Sequence, residues 1–479
     1  MGCDDEGLRL PVRVDPTSNG EFEPVPLPRH LRAANREALR DATRHARRLG
    51  VSRRDFMMSA AGAATTLLAL DRAFAATGRD GGRFALPAEA ALEPELAASV
   101  IEGDELVFDV QGHHVTPERP WRERSEFWRR TVGGFPFADC GLPDRIECFS
   151  ARQFVKEIFQ DSDTDLAVLS FVPEPDRDAA PLLIEEAAAT RELVAALEGS
   201  HRLLLHGPVH PGFPGELERM AELAERFRVA AWKTYTQYGP AGRGFWLDDE
   251  ATGVPFVERA RALGIPRICV HKGFPLPGMA PEHGRCDDVG RAARRFPDVE
   301  FVVYHSGYET ATEERAFDPT ARRNGIDSLV RSLRENGVAP GGNVWAELGS
   351  TWRFLMRDPE QAAHALGKLL LAVGEDRVLW GTDSVWYGSP QDQIQAFRAF
   401  QISERLREAH DYPELTPAVK AKIFGRNAVR LHGVPPELAR KRSPRRLVSA
   451  RERDPSHETF GPRTRRELLR YRALSAPLT

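Results

Sequence analysis

The sequence predicts an α/β protein that consists of a (β/α)8 TIM barrel, an N-terminal export-signal region and a basic C-terminal tail. Two observations predict the barrel. Between residues 105 and 435, eight short runs rich in Val, Ile, Leu and Phe alternate with charged, Ala-rich segments of helical character. Polar side chains that suit catalysis follow several of these runs, and barrel enzymes hold their active sites at the carboxyl ends of the strands.

The composition is that of a globular protein and excludes several other classes. The chain has 479 residues, of which 41% are apolar, and its formal net charge is −4. This balance argues against a disordered chain and gives no electrostatic reason to expect a nucleic-acid partner. No apolar run reaches the roughly 18 residues of a membrane-spanning helix. Five cysteines are too few for a disulfide scaffold, although Cys140 and Cys148 are close enough in sequence to close one small loop.

Residues 1–85 are predicted to form a disordered lead followed by an export signal. The segment Ser52-Arg53-Arg54-Asp55-Phe56 precedes an apolar stretch from Ser59 to Leu70 and the tripeptide Ala73-Phe74-Ala75. A charged region, a short apolar region and an A-x-A site form an export signal, and the paired arginines resemble the twin-arginine type. Cleavage near Ala75 would leave a periplasmic or extracellular protein, with the twin-arginine (Tat) export machinery as a partner. An amphipathic helix with a chance Arg-Arg pair is the alternative.

The barrel domain is expected to span residues 95–437. Its eight strands are predicted at residues 106–110, 166–171, 203–205, 229–234, 267–270, 299–304, 343–348 and 377–380. Continuous apolar runs indicate strands that are buried on both faces, and helices between them indicate parallel crossovers. A doubly wound open sheet is the alternative, and it would place a glycine-rich turn after the first strand.

The C-terminal extension, residues 438–479, is strongly basic. From Arg440 onward it holds twelve Lys or Arg residues, four Asp or Glu residues and four prolines. This composition predicts an extended surface arm or a solvated tail.

Three histidines and one aspartate lie at the predicted strand ends. His113, His271 and His305 follow the first, fifth and sixth strands, and Asp383 follows the eighth. A single histidine at such a place is more often a packing residue than a ligand. Imidazole nitrogens together with a carboxylate, each from a different strand, are the donors that zinc and similar divalent ions prefer.

These residues, with Gly381-Thr382-Asp383 and the closing segment from Phe424 to Leu431, resemble the amidohydrolase superfamily. The most similar branch is the amidohydrolase-related group, which includes aminocarboxymuconate-semialdehyde decarboxylase, and the resemblance covers residues 105–435. It implies one divalent metal ion, zinc first and manganese or iron as alternatives. The implied ligands are Gln111, His113, His271 and Asp383. Asp383 would also act as the general base, and His305 would touch the attacking water or the substrate.

Gln111 departs from the family pattern, which has histidine at this position of its His-x-His motif. An amide oxygen is a poorer zinc ligand than imidazole and is better tolerated by manganese or magnesium. Three alternatives stay open: Gln111 coordinates weakly through its oxygen, His114 substitutes for it, or the site has lost tight metal binding. His114 directly follows His113, so on a strand it would point to the opposite face.

The function predicted first is metal-dependent hydrolysis of an ester, amide or lactone. Non-oxidative decarboxylation of an aromatic or muconate-like acid is the second prediction, and a non-catalytic binding barrel is the third. Lys233, Trp386 and Tyr387 are predicted to contact the substrate, with a structural ion pair as the alternative role for Lys233. Aromatic residues and arginines in the loops after strands one and four suit a small, planar, anionic substrate, and arginines within the pocket would favour decarboxylation. Homo-oligomerisation is left open.

Overall fold

The computed structural model describes residues 10–14, 27–128, 144–198, 201–275, 279–322 and 324–440. Its strands are β1 (Gly82–Phe84), β2 (Phe108–Gly112), β3 (Leu166–Leu169), β4 (Leu203–Pro208), β5 (Ala231–Tyr235), β6 (Arg267–His271), β7 (Glu300–Tyr304), β8 (Val344–Glu347), β9 (Val378–Leu379) and β10 (Phe400–Ile402).

Strands β2 to β9 form one parallel sheet in which each strand pairs with the next one along the chain. The first and last strands meet through backbone hydrogen bonds beside the sheet. The amide of Val110 donates to the carbonyl of Trp380 at 3.0 Å, and the amide of Asp383 donates to that of Gln111 at 2.8 Å. The predicted α/β barrel is confirmed, and each predicted strand lies within a few residues of its observed bounds.

Side chains alternate between the inside and the outside of the barrel. On β6, Ile268 and Val270 belong to the apolar cluster that lies under the outer helices. Cys269, between them, packs inside the barrel with Val302 and Tyr304 of β7. Both faces of each strand are therefore buried, and this explains why the strands are continuous apolar runs in the sequence.

Helices cover the barrel and connect its strands. Those of seven or more residues are Ile184–Glu198, Glu216–Phe227, Gly253–Ala262, Val289–Arg295, Ile326–Glu335, Pro359–Val373, Gln391–Ala399 and Glu404–His410. Shorter helical segments are Trp121–Arg124, Arg145–Phe149, Ala151–Phe154, Val155–Gln160, Thr351–Leu355, Pro417–Ala421, Lys422–Arg426 and Asn427–His432. In the part of the chain that the structure describes, no helix combines the length and apolarity needed to cross a bilayer.

In the described residues that precede the barrel there are four α-helices: α1 (Arg29–Leu49), α2 (Arg53–Met57), α3 (Ala60–Ala75) and α4 (Pro94–Ile101). We call them the N-terminal layer. Residues 29–49, which the sequence analysis assigned to a disordered lead, form helix α1 in this structure. Buried residues recur along it at helical spacing, because they pack against α3: Leu31, Ala34, Ala38, Ala42 and Ala46. The export signal and its cleavage site stay predictions.

The N-terminal layer is joined to the outside of the barrel. Leu67, Leu70 and Phe74 of α3 belong to the same buried apolar cluster as Phe397 and Phe400. Strand β1 pairs antiparallel with β10, from residue 82 opposite 402 to residue 84 opposite 400. The sequence analysis missed this two-stranded sheet, because its strands are three residues long and lie more than 300 residues apart.

We expect a pH-dependent stability in this layer that originates at Asp71. Its carboxylate accepts from the amide of Phe84 at 3.0 Å, and burial raises its pKa from 3.8 to about 7. Between these values the folded chain holds a proton that the unfolded chain has lost, so the free energy of unfolding falls as the pH rises from about 4 to about 7. Asp71→Asn stays neutral and should remove this fall, which amounts to about 4 kcal/mol for a pKa that moves from 3.8 to about 7, measured by urea unfolding across that range.

Asp104→Asn, which changes an exposed carboxylate in the same part of the chain, is the matched control. Its pH profile should follow that of the unaltered protein. A profile of Asp71→Asn that also falls in parallel with the unaltered protein would assign the pH dependence to another group.

Several sequence predictions fall outside the described residues. They concern residues 1–9 and 15–26 of the lead, residues 129–143 of the loop after β2 including Cys140, and residues 441–479 of the basic tail. Cys148 is disulfide-bonded, whereas Cys269 and Cys286 are free and buried.

Candidate active site

Five of the predicted site residues meet at the carboxyl end of the barrel. Asp383 Oδ1 lies 3.1 Å from His113 Nε2 and 3.0 Å from Gln111 Nε2. The same Gln111 nitrogen lies 3.4 Å from His305 Nε2, which in turn lies 3.2 Å from His271 Nδ1. All five residues are at most 2% exposed. The structure thus brings residues from the ends of four strands into one connected, buried set.

Asp383 accepts hydrogen bonds on both carboxylate oxygens. In addition to the contacts of Oδ1, Oδ2 accepts from Ser350 Oγ at 2.5 Å, and Ser350 Oγ is 2.7 Å from Tyr387 Oη. Burial alone would raise the pKa of Asp383, but the bonds from His113 and Ser350 hold it below its usual value. Asp383 is therefore ionised at neutral pH. The sequence analysis missed Ser350, because it lies in a loop and no motif identifies it.

His305 and His271 face each other, and each directs an unprotonated ring nitrogen into the site. His305 Nδ1 is 2.7 Å from the carbonyl of Gly349, and His271 Nε2 is 3.2 Å from that of Phe274. A carbonyl can only accept, so both outer nitrogens carry the proton and the inner pair, 3.2 Å apart, face each other as acceptors. Burial lowers the pKa of His305 to about 4 and that of His271 well below its usual value. A proton is not retained there at neutral pH, so each ring directs a lone pair into the site.

Gln111 presents its amide nitrogen to this set. Nε2 donates to Asp383 and lies against His305, whereas Oε1 is buried and accepts no hydrogen bond from any residue that the structure describes. The oxygen lies beside Gly349, where an added Cβ would be only 2.1 Å away. Gln111 can therefore offer its oxygen to a cation only after the amide has turned over. His114 is not an alternative ligand, because its Nε2 lies 3.0 Å from Thr190 Oγ1 on the opposite face.

The residues of the site are of the types that bind a divalent cation, but they do not form a preformed group of ligands. Across the described residues, no three His, Cys, Asp or Glu side chains are grouped as metal ligands. His113, His271 and Asp383 nevertheless supply two imidazoles and a carboxylate within the connected set, which is a donor set suited to a catalytic metal with an open position. His113, His271 and Asp383 are the residues that would hold the ion, with Gln111 Oε1 as the fourth donor.

Glu347 holds the backbone around His305. Its Oε2 accepts from the amide of His305 at 3.0 Å and its Oε1 from that of Gly349 at 2.6 Å. Gly349 in turn accepts from the His305 ring, so one carboxyl group fixes this histidine from two sides. Burial raises the pKa of Glu347 to about 8. The residue supports His305 and does not face the other predicted ligands through any described hydrogen bond.

The backbone is strained where it carries the site. Five residues other than glycine have positive φ at the ends of β6 to β9: Phe274 (32°), His305 (63°), Ser306 (54°), Ser350 (54°) and Asp383 (61°). Such conformations cost about 1–3 kcal/mol each and persist only where the surrounding structure enforces them. Because five such residues lie together at this end of the barrel, the placement of the site's side chains is maintained at a cost to local stability.

Aromatic rings form the walls of the site. Trp386 stacks on the His113 ring at 5.7 Å, and Tyr235 stacks on the His271 ring at 4.5 Å. Phe274 places its edge against His305 at 5.1 Å. These rings fix the imidazoles and limit access of water from the loops.

Lys233 lies deeper in the barrel than the metal-type residues. Its Nζ sits 3.7 Å from the centre of the Tyr304 ring and 4.9 Å from that of Tyr235. Two arginines of the loop after β2 point elsewhere and form ion pairs at the surface: Arg122 with Asp144 and Arg124 with Asp178. Arginines within the pocket would have favoured decarboxylation. Arg122 and Arg124 pair with carboxylates at the surface instead, so these two residues give no support to that reaction.

The chain is similar to several solved structures with which it shares little sequence. The 5-carboxyvanillate decarboxylase from Sphingomonas paucimobilis is 14% identical, covers 69% of this chain and 99% of its own, and has a TM-score of 0.44. A dihydroxybenzoic acid decarboxylase from Polaromonas with bound manganese is 14% identical (70% and 99% covered, TM-score 0.40). The dihydropyrimidinase from Brevibacillus agri is also 14% identical (71% and 73% covered, TM-score 0.38).

No curated protein sequence matches the chain. The family model described as Amidohydrolase matches residues 162–434, which is more than half of the chain. The match begins after β2, so it covers His271, His305 and Asp383 but not Gln111 and His113. On this match, the chain belongs to the amidohydrolase family, a family of enzymes.

Proposed function

We propose that this protein is a metal-dependent hydrolase that attacks an ester, amide or lactone carbonyl. The connected set of Asp383, His113, Gln111, His305 and His271 at the carboxyl end of the barrel carries the proposal. Members of the amidohydrolase superfamily bind a divalent metal ion, and zinc, manganese and iron are the candidates here. A bound ion would supply a nucleophilic water at neutral pH and polarise the carbonyl.

Asp383 is the general base of the proposed reaction. Its carboxylate is ionised at neutral pH and can take a proton from the attacking water. Oδ1 accepts from Gln111 and faces His113, and Oδ2 accepts from Ser350, so both oxygens are held in place for this role. Proton transfer to the leaving group would follow from the same carboxyl group, since it is then the protonated acid of the site.

His305 orients the water in this scheme. Because Nδ1 donates to Gly349, the neutral ring offers only an acceptor at Nε2. An acceptor holds a water hydrogen and cannot polarise a carbonyl, so of the two roles that the sequence allowed, the water-orienting one agrees with the hydrogen bonding.

The walls of the site suit a planar acyl group. Trp386 and Tyr235 stack on the His113 and His271 rings, and Phe274 places its edge against His305, so the surroundings of the site are aromatic. Aromatic surroundings favour planar, unsaturated substrates. We therefore propose aromatic esters, aryl amides and unsaturated lactones as the substrate class.

The test begins with metal content. Elemental mass spectrometry of the purified full-length protein should find about one equivalent of zinc, manganese or iron, and Gln111→His should bind the ion more tightly because imidazole is the better ligand. Both proteins are then assayed with a panel of aromatic esters, aryl amides, lactones and aromatic acids.

Hydrolysis of any of the first three classes, lost on chelation, supports the proposal. Release of CO2 from the acids without hydrolysis would replace it by decarboxylation. Absence of metal from both proteins, even after titration, would instead indicate a binding barrel.

A further inference from the structure

Residues 10–14 are seated in the body of the protein, although they precede the predicted export signal by about forty residues. Val12 and Val14 are each 1% exposed and belong to the main apolar cluster, and Leu10 is buried as well. Apolar contacts thus hold this short segment from both sides of Arg13.

Arg13 spans the loop that follows Asp383. Its Nε and its backbone amide both donate to Asp392 Oδ2 at 3.2 Å. Its Nη2 donates to the carbonyls of Tyr387 and Ser389 at 3.4 and 3.3 Å. Arg353 completes the arrangement by donating from Nη1 to the carbonyl of Arg13 at 2.7 Å. One planar guanidinium therefore joins both ends of the segment from residue 387 to residue 392.

The other end of Tyr387 reaches the proposed general base. While its carbonyl accepts from Arg13, its hydroxyl contacts Ser350 Oγ at 2.7 Å, and Ser350 Oγ donates to Asp383 Oδ2 at 2.5 Å. Ser350 makes these contacts with φ at 54°, which requires support from its surroundings. A continuous series of hydrogen bonds thus leads from the start of the chain to the carboxylate.

We propose that residues 10–14 are part of the active-site scaffold, and that Arg13 is a positioning residue that fixes Asp383 through Tyr387 and Ser350. The consequence for Asp383 in catalysis rests on the proposed function, whereas the clamping of the loop does not. It follows that cleavage near Ala75 would remove a support of the active site, so the fully positioned form of the enzyme is the one that keeps its N-terminus.

Hydrogen–deuterium exchange on the full chain tests the clamp without a substrate. Peptides that cover residues 381–392 should exchange about tenfold faster in Arg13→Ala, because local opening of this loop becomes easier. Arg13→Lys keeps the charge but not the fork of donors and should lie between the two. Arg72→Ala is the matched control: it breaks ion pairs to Glu37 and Asp41 within the N-terminal layer, and it should leave exchange in this loop unchanged.

Metal titration tests the effect on Asp383. Calorimetry with Mn²⁺ and with Zn²⁺ should give an affinity about three- to tenfold weaker in Arg13→Ala and unchanged in Arg72→Ala, as expected for a residue that supports a ligand. Failure of the unaltered protein to bind metal would count against the proposed function alone, and the exchange of the Asp383 amide would then decide the inference.

Two results would overturn the inference. The first is exchange in Arg13→Ala within twofold of the unaltered protein. The second is an equal acceleration in Arg72→Ala, because Arg13 would then contribute only to the general docking of the N-terminal layer.

Discussion

Replacing Asp383 by Asn is expected to remove the metal and to lower activity on any hydrolysed substrate by about 10³-fold or more. The neutral amide provides neither the charge that holds a cation nor a base for the water. The amide NH2 group of Asn also places a donor where a carboxylate oxygen accepted. His113, Gln111 and Ser350 all donate to the carboxylate, so at least one of them would then face a second donor. Elemental mass spectrometry and the hydrolysis assay measure the two effects, and circular dichroism verifies folding.

Asp376→Asn is the control for this substitution. Asp376 is a partly exposed carboxylate that pairs with Lys422 and Arg430 on the outside of the barrel, so metal content and activity should not change. If Asp383→Asn kept its metal and its activity, Asp383 would be neither ligand nor base, and the proposed mechanism would be wrong.

Gly381→Ala should be the most damaging addition of a single methyl group near the site. A Cβ at this position would lie 1.6 Å from Glu347 Oε1, so the carboxyl group would have to move. The amides of His305 and Gly349 would then lose their acceptor in a buried place. Each unsatisfied amide costs about 1–3 kcal/mol, so we expect a loss of about 2–6 kcal/mol in the free energy of unfolding, measured in urea.

Gly284→Ala provides the comparison, because its Cβ would meet Gln237 at an ordinary 3.5 Å. Its unfolding free energy should stay within about 0.5 kcal/mol of the unaltered protein. Equal stability of the two variants would mean that Glu347 does not restrain His305 as described. A folded Gly381→Ala protein should also show weaker metal binding, since His305 and the adjoining His271 would lose their positions.

The eight strands could be predicted because the information that specifies them is local. A strand buried on both faces is a run of apolar residues, and the helix between two strands identifies them as parallel. For the same reason the strand ends could be located, and with them His113, His271, His305 and Asp383. A barrel places the ends of all its strands on one rim, so the topology alone predicts that these four residues meet.

The orientation of side chains within the site could not be predicted in this way. The sequence left open whether Gln111 coordinates through its oxygen, and the tertiary structure instead directs its nitrogen to Asp383 and His305. The choice depends on which donors and acceptors surround the amide, and these come from strands that are far apart in the chain.

The supporting residues were visible only in the tertiary structure. Ser350 and Arg13 belong to no periodic pattern, and their partners Asp383 and Asp392 lie 33 and 379 residues away along the chain. The N-terminal layer illustrates the same limit, since a short apolar helix preceded by an Arg-Arg pair has the composition of an export signal and also that of a helix packed on a barrel. Composition and periodicity determined the barrel and its catalytic rim, whereas contacts between distant segments decided how the rim is held, because such contacts leave no repeating signal in the sequence.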